Sequence, residues 1–262
     1  MKLQPPEIAV FITDGGIINR QQGLYMNKLF IALAIISGSS FAQYNEVNIV
    51  PASTYLNNSN FKDKTDAYFA NKVKEFLKMN KEQSENGFIS IQEPRAKELQ
   101  EIQQITKYRA RYSAQDTDVK HSISDIPMGY SFVGVPANEV STVIGYAPYG
   151  AYKSIKNGEE ANGWDGAVEF FHHNTLGNCA YTEHNRRLAN ADVELIEELV
   201  TYDVAEKPTL VLVKGNDDSG YLYKIDWFDA LFNRTLECES KQFSQQFKSD
   251  VIHLANQIES AQ

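Results

Sequence analysis

The sequence is poor in cysteine and lacks the short motifs that mark many enzyme families. Only Cys179 and Cys238 occur among its 262 residues. Two thiolates alone cannot hold a structural zinc ion, and no C-x-x-C pair is present for thiol redox chemistry. The phosphate-binding glycine motifs and the H-E-x-x-H helix are absent, and Gly129–Gly134 is one residue too long for a G-x-S-x-G turn. No cofactor is therefore predicted.

Positive charge is also scarce. The chain has 25 lysines and arginines against 34 aspartates and glutamates, a net charge of −9 at pH 7. Residues 1–42 contribute +1, from three basic and two acidic side chains, so the remainder carries −10. Because an acidic surface repels phosphate backbones and anionic lipid, nucleic acid is not expected as a partner. The charge is otherwise what solubility requires.

Met26–Ala42 has the three parts of a secretory signal. Lys28 provides a short positive region, and an apolar run of about ten residues, Leu29–Gly38, follows it. Small residues stand at positions −3 and −1 of a cut before Gln43. The apolar run is shorter than the ~20 residues that span a bilayer, so no stable membrane insertion is expected. The mature protein is predicted to be secreted or periplasmic.

Residues 1–25 are unusual because a signal peptide normally begins its chain. We interpret them as a mis-assigned upstream extension, with Met26 as the true start and 43–262 as one mature domain. Two alternatives remain open at this point. Residues 29–36 would form a buried helix in a cytosolic protein, or the segment would stay uncut as a signal anchor.

Both cysteines lie in the predicted mature part. In an oxidising compartment an even pair commonly forms a disulfide, so a Cys179–Cys238 bridge is predicted. It would close a loop of about 60 residues and contribute roughly 3–4 kcal/mol in the chain-entropy model. The alternative is a pair of buried free thiols.

Hydrophobic spacing predicts two helices in the first part of the mature chain. A single apolar face in residues 62–80 includes Phe69, Val73 and Phe76. Residues 93–113 follow a capping-box pattern at Ser90 and carry a second apolar stripe. Residues 43–61, rich in Asn, Ser and Pro, are expected to be extended.

From about residue 127 the pattern favours strands. Strands are predicted at Tyr130–Val135, Val140–Tyr146, Ala147–Tyr152 (an edge strand or a loop because of its proline), Ala167–His172, Cys179–Glu183, Thr201–Val204, Thr209–Lys214, Tyr221–Trp227 and Leu231–Cys238. The six-residue turn between Lys214 and Tyr221 predicts a hairpin. Asp192–Val200 is interpreted as a short helix.

The last element is a predicted helix over residues 241–260, whose apolar residues step by three and four. Helices, then strands, then a helix indicate an α+β fold with N-terminal helices, a central antiparallel sheet and a C-terminal helix. Alternating elements, as in a doubly wound fold, are not seen.

The strongest candidates for a metal site are His172, His173 and His184. With Glu183 they place imidazole and carboxylate groups within a dozen residues, and zinc needs three or four such groups to converge. Adjacent histidines on a strand point to opposite faces, however, so His172 and His173 reach one ion only from a loop. The other interpretation is ordinary polar surface.

Two further catalytic hypotheses are weaker. A free Cys179 or Cys238 would need a neighbouring histidine, for which His184 is the nearest in sequence. Carboxylate pairs near Trp164 and Trp227 would suit a glycosidase; the acids concerned are Asp165, Glu169, Asp226 and Asp229.

The leading functional hypothesis, reached by elimination, is a non-enzymatic binding or interaction protein whose partner is an unknown protein or small ligand. The aromatic, glycine-rich stretch Met128–Tyr152 is its expected contact surface. Exposed aromatic residues there would favour this hypothesis, whereas burial of Tyr130, Tyr146, Tyr149 and Tyr152 would count against it.

The alternative is an exported hydrolase, possibly metal-dependent, that uses either the histidine cluster or the acidic residues around the two tryptophans. A pocket that gathers His172 or His173 with His184 would favour it, and scatter over the surface would contradict it.

Overall fold

The structure is a computed structural model that describes residues 11–14, 47–57, 64–91, 102–109, 116–136, 141–153 and 162–261. Its helices are α1 (Ser53–Leu56), α2 (Lys64–Asn86), α3 (Arg186–Ala189) and α4 (Gln245–Ser260). The predicted signal peptide, Met26–Ala42, lies outside the described residues.

The strands are β1 (Phe11–Asp14), β2 (Val47–Val50), β3 (Ile89–Ser90), β4 (Lys107–Tyr108), β5 (Thr117–Asp118), β6 (Ser141–Lys153), β7 (Gly163–His173), β8 (Gly177–Asn185), β9 (Ala191–Ile196), β10 (Tyr202–Val204), β11 (Lys207–Asn216), β12 (Gly220–Phe228) and β13 (Phe232–Ser240). The chain is therefore an α+β protein, as its sequence predicts.

One large sheet organises the fold, with strand order β10-β11-β12-β13-β8-β7-β6. Neighbours on this path are antiparallel, whereas the short β3 pairs with β11 in parallel. The sheet is thus mixed, which corrects the purely antiparallel prediction. A smaller sheet has the order β1-β9-β2, so β1, within the predicted upstream extension, pairs with β9.

The predicted hairpin is confirmed as β11 and β12, in register from Thr209–Trp227 to Asn216–Gly220. Asn216 Oδ1 accepts hydrogen bonds from the backbone N–H groups of Asp218 and Ser219, at 3.0 and 2.8 Å. This side chain closes the turn in the way an Asx turn does.

The C-terminal helix is confirmed as α4, which begins four residues later than predicted. Ser244 caps it by accepting a hydrogen bond from Phe247 N at 3.2 Å. Its apolar face, with Val251 and Ile258 fully buried, packs on one face of the large sheet. We call this layer the first core.

The opposite face of the sheet holds two more apolar layers. In the second core, Phe69, Val73 and Phe76 of α2 meet buried residues of β9, β11 and β12, so the predicted helix at 62–80 is confirmed and extends to Asn86. In the third core, Ile102 packs with buried residues of β6, β7 and β8.

The second predicted helix, residues 93–113, is wrong where the structure describes it. Ile102–Gln104 is a 3-10 turn and Lys107–Tyr108 is a strand paired with β5; residues 92–101 and 110–115 lie outside the described residues. A spacing of three between Ile102 and Ile105 suits a 3-10 turn as well as an α-helix. Tyr108 then leaves the helical path to contact Phe170, with ring centroids 5.5 Å apart.

The short helix predicted at Asp192–Val200 is also wrong. Ala191–Ile196 forms β9, followed by a 3-10 turn at Glu197–Leu199. Burial alternates through Ala191, Val193 and Leu195, the two-residue period of a strand. Asn190 does not begin a helix; it ends α3 in the left-handed conformation, at φ 55°.

The strand predicted at Tyr130–Val135 is irregular backbone instead. Residues 127–136 cross the sheet as a loop, with Gly134 at φ +74°. By contrast, Ala147–Tyr152 belongs to β6, the edge strand of the large sheet, which agrees with its proline.

Cys179 and Cys238 form the predicted disulfide, between directly paired residues of β8 and β13. Both cysteines are fully buried in the first core. The bond is compatible with the predicted oxidising location. Among the residues that the structure describes, no helix is both long and apolar enough to cross a membrane.

A buried charge network ties α4 to the sheet through Arg234 of β13. Arg234 is 3% exposed. Its guanidinium lies 3.3 Å from Glu183 Oε2, 2.5 Å from Asp229 Oδ2 and 3.4 Å from Glu259 Oε2. Glu259, in the last turn of α4, also accepts a hydrogen bond from Trp227 Nε1 at 2.6 Å. One cation thus joins two strands, a turn and a helix.

Replacement of Arg234 by Met is expected to lower the free energy of unfolding by about 3–5 kcal/mol, because it leaves buried carboxylates without their cation. Chemical denaturation would measure the loss. The matched control is Arg109→Met, since the Arg109–Asp116 pair is exposed and should cost under about 1 kcal/mol. Equal losses would show that the buried network does not hold the fold together.

Candidate functional site

The structure does not bring the three predicted metal ligands together. His172 pairs in register with Asn178 of β8, whereas His184 pairs with Gly166. Positions 178 and 184 are six residues apart on one strand, or about 20 Å. His172 Nδ1 lies 3.0 Å from Asn178 Oδ1, and His173 Nδ1 lies 3.0 Å from Thr175 Oγ1.

These histidines therefore serve local structure. Within the described part of the chain, no group of three or more His, Cys, Asp or Glu side chains is arranged to hold a metal ion. Neither cysteine is a free thiol, so the structure also removes the basis for a cysteine nucleophile.

The acidic residues near the tryptophans are dispersed as well. Asp229 belongs to the Arg234 network; burial favours a raised pKa, but the hydrogen bond and charge of Arg234 hold the pKa of Asp229 below its ordinary value. Asp226 lies on the other face, with Oδ1 accepting a hydrogen bond from Thr235 at 2.6 Å. Asp165 and Glu169 are four residues apart on β7, about 13 Å, farther than the carboxylates of a glycosidase.

One association was not predicted. Asp165 and His184 form a close pair, with His184 Nε2 3.3 Å from Asp165 Oδ1. Asp165 is 1% exposed and His184 is 4% exposed. Lys153 Nζ lies 3.5 Å from Asp165 Oδ2, and Ala151 N donates a 2.8 Å hydrogen bond to Oδ1. We call these four residues the bulge site.

A β-bulge in the edge strand creates this site. Tyr149 pairs with Gly166 and Tyr152 with Trp164, so one extra residue is accommodated in β6 opposite Asp165. Gly150 takes the left-handed conformation there, at φ +75°. Such bulges redirect side chains and are frequent beside functional sites. The bulge turns Ala151 N and Lys153 toward Asp165.

The bulge site has two of the groups used in general-base catalysis, a histidine and a neighbouring carboxylate. An aspartate beside a histidine orients the ring and stabilises its protonated form. However, His184 Nε2 is buried and makes no hydrogen bond. Both cysteines are in the disulfide, so no thiol stands beside the ring as a nucleophile. A hydrolytic reaction here would need a nucleophile other than a cysteine thiol.

Aromatic side chains surround the bulge site. Tyr149 contacts His184 edge-on, with ring centroids 5.4 Å apart. Tyr152 contacts Trp164 edge-on at 5.9 Å, and Tyr152 is 47% exposed. Tyr130 and Tyr146 are half-buried. Of the four tyrosines in the expected contact surface, Tyr152 therefore best meets the requirement of exposure.

A second buried carboxylate of β7, Glu169, lies under the loop of residues 127–136. Glu169 is 2% exposed, and its Oε2 accepts a 2.9 Å hydrogen bond from Val135 N. Burial raises the pKa of Glu169 to about 7, against the opposing effect of the Val135 hydrogen bond. This carboxyl therefore changes charge near neutral pH.

Comparison with protein-family models, with curated proteins and with solved structures finds no match for this chain. The functional argument therefore rests on the geometry of the chain itself. Sequence reasoning missed the Asp165–His184 pair because the two residues lie on different strands. The one available signal was the glycine after Tyr149, Gly150. A glycine inside a strand indicates a bulge only when the partner strand is known.

Gly150→Ala should destabilise the protein by more than backbone strain alone. An added Cβ would lie 2.0 Å from Asp165 Oδ1. The control Gly177→Ala has a similar backbone, at φ +70°, but nothing lies within 4 Å of its added Cβ. We expect a loss of about 1–2 kcal/mol for Gly177→Ala and at least about 1 kcal/mol more for Gly150→Ala, measured by urea unfolding. Equal losses would contradict the close packing of the bulge.

Proposed function

We propose that this chain is an exported binding or interaction protein without catalytic activity, which meets its ligand on the aromatic surface beside the bulge site. The observation that carries the proposal is the exposure of Tyr152, 47%, at the edge of the sheet and in contact with Trp164. Large aromatic rings with a polar end are favoured at contact surfaces, because they bury much area and still donate a hydrogen bond.

The dispersal of the reactive groups supports binding over hydrolysis. A hydrolase needs a nucleophile or metal, a base and a stabilising donor within reach of one atom. Here His172 and His173 are remote from His184, and the cysteines are joined. The acidic residues near Trp227 are committed to Arg234, Thr235 and Lys224.

A small-ligand screen tests the contact surface. Thermal shift with a panel of sugars, amino acids, nucleosides and short peptides is expected to give ligands that stabilise the wild type. Tyr152→Ala should abolish that shift because it removes the exposed ring. Tyr202→Ala is the matched control, since Tyr202 is 38% exposed but contacts Lys248 instead. A shift that survives Tyr152→Ala would place binding elsewhere, and no shift with any compound would contradict a small ligand.

The alternative is an exported hydrolase, and the Asp165–His184 pair is the observation that favours it. Native mass spectrometry on protein expressed from Met26 and collected outside the cytoplasm separates the two. Binding predicts a mass that starts at Gln43, is two hydrogens light and carries no metal.

A zinc-sized adduct that disappears in His184→Ala would reverse the ranking and make a metal-dependent hydrolase the leading function. An uncut chain with free thiols, retained inside the cell, would contradict export itself.

A further inference from the structure

The loop of residues 127–136 covers the β6–β8 side of the first core and is held by hydrogen bonds along its length. Near its start, Gly129 N donates to Trp164 O at 3.0 Å, and Trp164 N donates to Pro127 O at 2.8 Å. In the middle, Tyr130 Oη donates to Glu183 O at 3.0 Å. At its end, Val135 N donates to Glu169 Oε2.

Phe132 fills the space between these hydrogen bonds. Its ring contacts Tyr146 of β6 at 6.3 Å and Tyr181 of β8 at 6.1 Å between centroids. Next to it, Gly134 packs so closely that an added Cβ would lie 2.4 Å from Glu169 Oε2. The loop therefore seals Glu169 from water by direct contact.

The surface beneath the loop holds a second carboxylate, Glu183. It pairs in register with Ala167, two residues from Glu169 on β7 and on the same face. Glu183 is 1% exposed, and its Oε1 is buried without a hydrogen-bond partner. Val133 of the loop donates a backbone hydrogen bond to the Glu183 carboxylate, but Oε1 remains unpaired. An unpaired buried oxygen costs free energy, and water admitted by an open loop would satisfy it.

We propose that residues 127–136 form a pH-dependent lid, closed over Glu169 when that carboxyl is neutral and released when it ionises. The lid does not depend on the proposed binding function. If the expected contact surface binds a ligand, opening the lid would add Phe132, Tyr130 and Tyr146 to the accessible aromatic area.

Linkage gives the sign of the effect. Under the closed lid the pKa of Glu169 is about 7, whereas its ordinary value is 4.5. Opening therefore releases a proton, and it becomes more favourable as pH rises between these two values. The full effect on the opening equilibrium is about 300-fold, and the part between pH 5.5 and 8.5 is about 30-fold.

The other ionisable groups that face Glu169 come from β6, from β8 with its β13 partner, and from the loop itself. From β6, the pKa of Tyr146 is raised by burial and by the charge of Glu169. From β8, burial raises the pKa of Glu183, although Arg234 of β13 opposes it. The loop itself presents Tyr130, whose pKa is raised well above its ordinary value by burial.

Hydrogen–deuterium exchange on the full exported chain tests the lid. Protection of a peptide covering 127–136, corrected for intrinsic exchange, is expected to fall about 30-fold from pH 5.5 to 8.5. A peptide from β12 should keep its protection. A constant lid protection would overturn the proposal, and so would a parallel fall in β12, which would indicate global loss of stability.

The variant Glu169→Gln tests whether Glu169 causes the pH dependence of lid protection. Glutamine stays neutral and still accepts the Val135 N–H, so the lid protection should lose most of its dependence on pH. Glu239→Gln is the matched control, because burial also raises the pKa of Glu239 to about 7 but this residue lies on β13, facing away from the lid; it should behave as wild type. A wild-type response in Glu169→Gln, or its loss in Glu239→Gln, would overturn the proposal. If Glu169→Gln does not fold, the wild-type pH profile against β12 decides.

Discussion

The first core depends on the placement of one cation, Arg234, inside the sheet. A buried guanidinium is tolerated only where carboxylates and hydrogen bonds replace its water. Glu183, Asp229 and Glu259 supply them from β8, from the turn after β12 and from α4. Because these carboxylates are costly to bury alone, each element must dock for the others to dock. The apolar contacts of α4 add area, but the charges fix where its last turn lies.

The elements that the sequence predicts correctly are those whose signals are local. The β11–β12 hairpin has its turn residues between two β-branched runs, and α4 shows a continuous apolar face next to a capping serine, Ser244. The Cys179–Cys238 bond follows from the cysteine count and the predicted oxidising compartment. The spacing of apolar residues was also sufficient to predict α2, because Phe69, Val73 and Phe76 all face one core.

Where prediction fails, long-range contacts decide the backbone. Ile102 and Ile105 have helical spacing, yet both pack against the third core from a 3-10 turn and the residue after it, and Tyr108 lies in a strand. β9 is a strand because β2 pairs with it over four residues. The Asp165–His184 pair depends on strand order and on a bulge, and neither can be predicted from the spacing of residues in the sequence. The predicted histidine site fails for the same reason. His172 and His184 are close in sequence, but in the paired strands His172 lies opposite a position six residues from His184 on β8.

The acidic residues differ in what stabilises their carboxylates, and this difference distinguishes a structural role from a possible response to pH. Asp229, in the turn after β12, and Glu259, in α4, are each paired with a cation, so their role is structural. Glu169 on β7 accepts a hydrogen bond from a backbone N–H of the covering loop. No cation pairs with this carboxyl among the described residues, so its cover controls its pKa, and at pH values between 4.5 and about 7 it changes charge when the cover moves. The edge formed by β6 and β7, with its bulge, exposed Tyr152 and covering loop, is therefore the part of this fold that can respond to its surroundings.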